Sequence, residues 1–223
     1  MLNRRGLITG IMAAAAAPFV RPVSAAPPVV PPAEALQRLI DGNERYVANT
    51  PINTDHSVGR SARALGQQPF ATIVSCADSR VAPELIFDQG PGELFVIRAA
   101  GNVISDYGLA SLEYGAAVLG ISTILVLGHS SCGAVEAAIS AIRDDAMPGG
   151  HLPGLVEAIR PAVQQAMRDN PADLLTAATA RNAQLGAEKA QRTAPILSEL
   201  RGAGDLTARA AIYDIATGKV EFL

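Results

Sequence analysis

The sequence predicts an α/β domain in which a parallel sheet is flanked by helices, with a pair of strands at its C-terminal end. Apolar runs of strand length alternate with segments of helical periodicity between residues 70 and 142. The strand segments are almost continuously apolar, which is typical of parallel strands that helices cover on both faces. With 223 residues, 49% of them apolar, the chain is long enough to bury one sizeable core.

The N-terminal half of this domain contains most of the predicted sheet. Apolar residues from Leu36 to Val47 recur at helical spacing and predict an amphipathic helix over 34–48. A polar and irregular segment then reaches residue 66. The elements that follow are predicted strands over 70–75, 94–98 and 123–127 and predicted helices over 108–119 and 134–142.

The C-terminal half is predicted to be mainly helical and to close with two strands. A Gly- and Pro-rich loop over 144–153 comes first. Two helices are predicted over 155–167 and 174–190, with Pro171 starting the second. A short helix over 195–201 ends at Gly202 and Gly204. The predicted strands over 208–215 and 219–223 pair around the Thr217-Gly218 turn.

The first 25 residues differ from the rest of the chain. The Arg4-Arg5 pair followed by an apolar stretch resembles a twin-arginine (Tat) export signal, and this stretch is too short for a stable membrane anchor. We expect a signal peptide over 1–25 that is cleaved between Ala25 and Ala26, and therefore a periplasmic protein. An uncleaved anchor is the alternative, which Pro18 within the apolar stretch disfavours.

Removal of this segment makes the remaining chain more acidic. The only charged residues of the removed segment are Arg4, Arg5 and Arg21. The remaining chain therefore has 15 basic and 21 acidic residues, a net charge of −6. This charge and the absence of Trp disfavour nucleic acid as a partner. Four prolines within 27–32 predict an extended spacer over 26–33 before one folded domain over 34–223.

Two short segments hold both cysteines of the chain and one of its three histidines. They are Cys76-Ala77-Asp78-Ser79-Arg80, after the first predicted strand, and His129-Ser130-Ser131-Cys132-Gly133, after the third. The carboxyl ends of parallel strands lie at one edge of a sheet, so we expect the two segments to meet there. Two thiolates and one imidazole form a zinc ligand set with an open fourth position, which favours a catalytic over a structural site.

A disulfide between Cys76 and Cys132 is the alternative interpretation of the same residues. An exported chain with an even number of cysteines is a candidate for such a bond. The position of His129 three residues before Cys132, and the Asp/Arg pair after Cys76, favour metal binding instead.

The pattern C-x-D-x-R followed by H-x-x-C-G, with a strand before each part, closely resembles the β-class carbonic anhydrases. The resemblance covers residues 34–223. Ala99 departs from the family pattern, because members commonly carry asparagine after the arginine that ends the second strand. Further segments that match the family are Gln67-Gln68-Pro69, Pro91-Gly92-Glu93-Leu94-Phe95, Leu112-Glu113-Tyr114 and the ending from Tyr213 to Phe222.

The resemblance implies a zinc enzyme, with one Zn²⁺ per chain, that reversibly hydrates CO₂ to bicarbonate and a proton by means of a zinc-bound hydroxide. Cys76, His129 and Cys132 would hold the zinc. Asp78 would either accept a hydrogen bond from the zinc-bound water or occupy the fourth zinc position itself. Arg80 would pair with the Asp78 carboxylate, which gives these two residues the catalytic roles beside the metal.

The resemblance also implies a substrate pocket and an assembly. Gln67, Phe95 and Tyr114, from this chain or from a dimer mate, would line the CO₂ pocket, and Gly133 would contribute its backbone. The expected assembly is a homodimer or a larger homo-oligomer without a stable membrane anchor.

Two other functions remain compatible with the same residues. A zinc hydrolase of CS₂ or COS would keep the fold and the metal and differ in the shape of its pocket. A non-catalytic zinc- or bicarbonate-binding protein would keep the fold alone, and the intact Asp78 and Arg80 disfavour it.

Overall fold

A computed structural model describes residues 30–57 and 59–223. The predicted signal peptide, its cleavage site and residues 26–29 of the predicted spacer lie outside these residues. Within them, the chain forms a five-stranded sheet with helices on both faces. No helix in the described ranges is both long enough and apolar enough to cross a bilayer.

The sheet confirms the predicted parallel core and the C-terminal strand pair. Its strand order is β2-β1-β3-β4-β5, and the first four strands in this order run parallel while β5 is antiparallel to β4. The strands β1 and β3 are buried along their whole length, whereas β2 lies at the edge and is only half-buried. The strands are β1 (Ala71–Ser75), β2 (Leu94–Arg98), β3 (Thr123–His129), β4 (Thr207–Tyr213) and β5 (Val220–Phe222).

The six longer helices lie where the sequence predicts them. The short helices α2 and α3 and a 3₁₀ turn over Ala100–Asn102 were not predicted, because three or four residues are too few to show a helical period. The helices are α1 (Pro32–Val47), α2 (Arg60–Arg63), α3 (Pro83–Ile86), α4 (Asp106–Ala117), α5 (Gly133–Arg143), α6 (Leu152–Asp169), α7 (Leu174–Arg192) and α8 (Ile196–Ala203).

Two helix starts have an evident local cause. Helix α1 begins at Pro32, where the fixed φ of proline suits a first helical position. Helix α7 begins at Leu174, where its predicted range begins, but Asp173 caps it and Pro171 does not start it. The Asp173 carboxylate accepts a hydrogen bond from the backbone N–H of Thr176 at 3.0 Å, which satisfies a donor that has no partner within the helix.

Alternate side chains of the central strands build a core on each face of the sheet. Ile73 of β1 and Leu125 of β3 pack with α1 on one face, and Val74 and Val126 pack with α4 and α7 on the other. A third apolar cluster, between α5 and α6, includes both cysteines. The carboxyl edge of β1 and β3 is therefore enclosed by helices, and this enclosure excludes water from the groups that lie there.

Asp88 ties the loop after α1 to the segment that follows α3. Its buried carboxylate accepts hydrogen bonds from Arg45 Nε at 2.5 Å and from the backbone N–H groups of Ile52 and Asn53 at 3.1 and 3.0 Å. Burial raises the pKa of this carboxyl, but the Arg45 side chain and the two N–H donors outweigh burial, so the pKa lies below its usual value.

We expect Asp88→Asn to destabilise the protein in a pH-dependent way. A carboxyl whose pKa is lower in the folded state contributes stability that is complete above its unfolded pKa, about 3.9, and that is lost as the pH falls through its folded pKa. The wild type should therefore exceed Asp88→Asn by about 2 kcal/mol in free energy of unfolding at neutral pH, and the gap should narrow below about pH 4. Urea unfolding of both proteins at several pH values measures this difference in free energy of unfolding. A difference that stays constant down to pH ~3.5 would contradict this account.

Candidate metal centre

The carboxyl ends of β1 and β3 bring the two predicted segments together. Ser75, the last residue of β1, lies opposite Leu127 of β3, so Cys76 follows β1 at the level where β3 ends with His129. Three residues later Cys132 occupies the N-cap position of α5. The chain reverses between them through Ser131, which has a positive φ of 55°. The topology thus confirms that the two segments meet at one sheet edge.

Cys76, His129 and Cys132 form one buried cluster. Their possible ligand atoms, two Sγ atoms and a ring nitrogen, all lie within 4.8 Å of one another. All three side chains are buried. Both cysteines are free thiols, so the structure does not contain the disulfide that the cysteine count alone allowed.

The imidazole of His129 is oriented to bind a metal ion. Its Nδ1 lies 2.9 Å from the carbonyl oxygen of Ser130, so Nδ1 carries the proton and donates it to that oxygen. Nε2 then holds a lone pair, and this buried atom has no hydrogen-bond partner among the residues that the structure describes. An unsatisfied buried acceptor costs about 1–3 kcal/mol, a cost that a bound cation would remove. The residues present therefore fit a zinc ion.

The two thiols interact strongly with each other in the metal-free protein. The Cys132 thiol donates a hydrogen bond that lowers the pKa of Cys76 to about 3, against the opposing effect of burial. The same hydrogen bond and burial raise the pKa of Cys132. The backbone N–H of Gly101 also donates to Cys76 Sγ, at 3.3 Å. Metal binding displaces the thiol protons that remain, so the affinity for the metal depends on pH.

Asp78 lies beside this cluster and is held by Arg80. Arg80 donates from Nε to Asp78 Oδ1 at 3.0 Å and from a terminal nitrogen to Oδ2 at 2.7 Å, a bidentate pair. These bonds hold the pKa of Asp78 well below its usual range, so the carboxylate is ionised at neutral pH. Its Oδ2 lies 4.0 Å from His129 Nε2. With both oxygens engaged by Arg80, the carboxylate lies next to the three-residue cluster and outside it.

The loop that carries Cys76 and Asp78 is fixed by residues that sequence analysis did not assign to the site. Arg98 donates to the backbone carbonyl of Cys76 at 3.0 Å and to that of Asp78 at 2.7 Å. Its position at the end of β2, on the same sheet edge, was a signal that could have identified it. Asn182 of α7 donates to the carbonyl of Gly101 at 2.8 Å, and nothing in the sequence around Asn182 indicated this role.

The four predicted pocket residues do not gather at the cluster of their own chain. Gly133 is exposed beside Cys132, at the start of α5. Phe95 contacts Tyr114, with ring centroids 6.3 Å apart, but it lies three residues before the end of β2, about 10 Å from the sheet edge. Gln67 is exposed and lines a cleft of about 910 Å³ whose walls contain none of the three clustered residues.

Residues 71–220 match the family described as "Carbonic anhydrase". Among curated proteins, carbonic anhydrase 2 of Mycobacterium tuberculosis is 50% identical over 139 residues, which cover 62% of this chain and 67% of that protein. The carbonic anhydrase of Pseudomonas aeruginosa is 36% identical over 170 residues, which cover 72% of this chain and 76% of that protein.

Solved structures of β-carbonic anhydrases share the fold. The β-carbonic anhydrase CcaA superimposes with a TM-score of 0.63 at 31% identity, over 84% of this chain and 91% of that chain. The Coccomyxa β-carbonic anhydrase, solved in complex with acetazolamide, superimposes with a TM-score of 0.67 at 28% identity, over 84% of this chain and 86% of that chain. The likeness thus extends beyond the segments that carry the site to most of the described chain.

Proposed function

This chain belongs to the β-carbonic anhydrase family and is a carbonic anhydrase, and we propose that it hydrates CO₂ to bicarbonate and a proton at one zinc ion held by Cys76, His129 and Cys132. The observation that carries this proposal is the buried cluster of two sulfurs and one imidazole nitrogen that has no other partner. Such a three-residue set leaves a fourth position open, as a catalytic zinc site requires.

The protein groups around the cluster prepare it for the metal and its substrate. When bound, zinc supplies a Lewis acid that lowers the pKa of water, so that a nucleophile is available near neutral pH. The carbonyl of Ser130 keeps the proton of His129 on Nδ1 and leaves Nε2 as the donor atom to the metal. The thiolates of Cys76 and Cys132 balance the charge of the ion in a site that helices close off from bulk water.

Asp78 and Arg80 provide the polar groups next to the reacting water. We assign to the Asp78 carboxylate the role of accepting a hydrogen bond from that water, which turns an oxygen lone pair toward the carbon of CO₂. Arg80 keeps the carboxylate ionised and fixes its orientation through the bidentate pair. The backbone bond from Arg80 N–H to Asp78 Oδ1, at 2.9 Å, limits rotation of the carboxylate further.

CO₂ hydration by purified protein starting at Ala26 tests this proposal, with zinc per chain determined on the same sample. We expect one zinc per chain and rapid hydration, and Asp78→Asn should keep its zinc while hydrating CO₂ roughly 10²-fold more slowly, because the amide presents no anionic acceptor. Glu157→Gln, which breaks an exposed ion pair with Arg160 on α6, is a control that should hydrate CO₂ at the wild-type rate. Full zinc without hydration of CO₂ at any pH would instead favour a CS₂ or COS hydrolase or a binding protein.

We also propose that the protein is exported and that it works as a homodimer or larger homo-oligomer. Export is supported by the twin-arginine pattern at Arg4-Arg5 and by the small residues before Ala26. Self-association is supported by the family resemblance, because this family builds its site at a dimer interface. A second copy would also supply the pocket residues that one chain keeps away from its own cluster.

A further inference from the structure

We propose that Asn182 is a positioning residue for the metal centre, acting on Cys76 through the backbone of Gly101. The inference rests on the metal centre proposed above and adds to it a residue from α7, a helix that carries none of the three clustered side chains. Two hydrogen bonds connect Asn182 to Cys76. The Asn182 amide donates to the Gly101 carbonyl, and the Gly101 N–H donates to the sulfur of Cys76.

Both hydrogen bonds are formed inside the protein. Asn182 is 8% exposed, and its Nδ2 lies 2.8 Å from the Gly101 oxygen. The Gly101 nitrogen lies 3.3 Å from Cys76 Sγ, a normal length for a bond to sulfur, and Gly101 is buried. The two bonds use the N–H and the C=O of one residue, which lie on either side of its Cα, so together they restrain both peptide groups that meet at Gly101.

The turn at residue 101 requires a glycine. Its φ is 63°, in the left-handed region, and a Cβ there would lie 2.8 Å from Ile159 Cδ1 and 3.2 Å from Ala134 Cβ. Glycine is the residue that allows α5 and α6 to approach this turn so closely. A glycine is also the most flexible residue when it is not restrained, so the turn needs an external restraint, and the Asn182 amide supplies one.

The bond from Gly101 to sulfur affects how Cys76 binds a metal. The N–H donor holds the Cys76 sulfur in one position, because the hydrogen bond opposes rotation of the side chain. If the donor becomes mobile, the sulfur loses its fixed orientation toward the metal. Groups that orient metal ligands in this indirect way typically change metal affinity by about 10- to 100-fold when they are removed.

Asn43 offers a matched control for Asn182. It is also a helical asparagine, 6% exposed, and its Nδ2 donates to the backbone carbonyls of Ile86 and Gly218 at 3.1 and 2.9 Å. Its Oδ1 accepts from the N–H of Val220 at 2.9 Å. Loss of the Asn43 amide thus removes more hydrogen bonds than loss of the Asn182 amide, and it removes none that leads to Gly101.

The test compares Asn182→Ala, Asn182→Leu and the control Asn43→Ala with the wild type. The zinc dissociation constant is measured by competition with a chelator, and the thiolate-to-cobalt charge-transfer band is recorded on Co²⁺-loaded protein. We expect both Asn182 variants to bind zinc about 10- to 100-fold more weakly and to shift the band. Asn43→Ala should lower the thermal stability and leave both metal readouts at their wild-type values.

Two Asn182 substitutions are used so that the test still works if one of the variants does not fold. Asn182 lines a cleft of about 280 Å³, so leucine finds room there and excludes water from the Gly101 carbonyl. Alanine introduces no new atoms and suits the interior of α7. Wild-type metal readouts in both variants, or an equal shift in Asn43→Ala, would overturn the role of Asn182. A wild type that binds neither zinc nor cobalt would overturn the metal centre itself and this inference with it.

Discussion

Cys132→Ser is expected to remove zinc and CO₂ hydration while it leaves the metal-free fold intact. Cys132 is fully buried at the N-cap position of α5, where its side chain makes no capping hydrogen bond, and serine is among the preferred residues at that position. The substitution therefore replaces a soft thiolate ligand by a poor one without disfavouring the start of the helix. It separates the role of Cys132 in binding metal from its role in starting a helix.

The expected loss in Cys132→Ser is large. A structural zinc site with four ligands contributes about 10–16 kcal/mol, so one thiolate accounts for about 2.5–4 kcal/mol, or roughly 10²- to 10³-fold in zinc affinity. The zinc content, measured after gel filtration, and the rate of CO₂ hydration, measured by stopped flow, should both decline. Thermal unfolding of metal-free wild type and metal-free Cys132→Ser is the control, and the two midpoints should nearly coincide. A variant that keeps one zinc per chain and the wild-type rate would show that Cys132 is not a ligand.

Gly42→Ala is expected to be the most destabilising of the simple substitutions considered for this fold. Gly42 lies on the buried face of α1, where the helix backbone contacts the segment after α3. A Cβ at this position would lie 1.8 Å from the carbonyl oxygen of Phe87 and 2.7 Å from its carbonyl carbon. These are backbone atoms, so relief requires α1 or the Phe87 segment to move as a whole.

Two opposing effects determine how much Gly42→Ala changes the free energy of unfolding. Alanine in a helix interior is favoured over glycine by about 1 kcal/mol. Forcing α1 away from its contact costs about 3 kcal/mol or more, because overpacking at an immobile neighbour cannot be relieved by a change of rotamer. We therefore expect a net loss of about 2 kcal/mol or more in the free energy of unfolding, measured with urea.

Gly154→Ala is the control for this prediction. Gly154 lies in the first turn of α6, and a Cβ there would have no heavy atom within 4 Å. Only the gain in helix propensity remains, so the variant should be more stable than the wild type by about 0.5–1 kcal/mol. Equal effects of the two substitutions would contradict the contact between α1 and Phe87.

The secondary structure was largely predictable because its signals are local. The bounds of β2 were predicted to the residue, and β1 and β3 were predicted within two residues at each end. The sequence could not indicate that β2 is the edge strand, because the residues of β2 are as apolar as those of the central strands. Which strands are central depends on the strand order, and that order is set by packing between helices that are far apart in the chain.

The candidate ligands were predictable for a similar reason. Cys76 follows a strand directly, and His129 and Cys132 are three residues apart, so their chemistry is visible within two short segments. The state of Asp78 was not predictable. Its carboxylate could have joined the ligand set or paired with Arg80. These alternatives differ only by a rotation of the side chain, and no sequence pattern distinguishes them.

By itself, the sequence determined the order and type of the main elements and the sheet edge at which Cys76, His129 and Cys132 meet, because periodicity and strand ends are local properties of the chain. Only the tertiary structure decided what holds the site in place. Arg98 reaches Asp78 across 20 positions and Asn182 reaches Gly101 across 81, and no local pattern encodes such contacts. They depend on which helices pack against the sheet edge, and that packing follows from the burial of the whole apolar core.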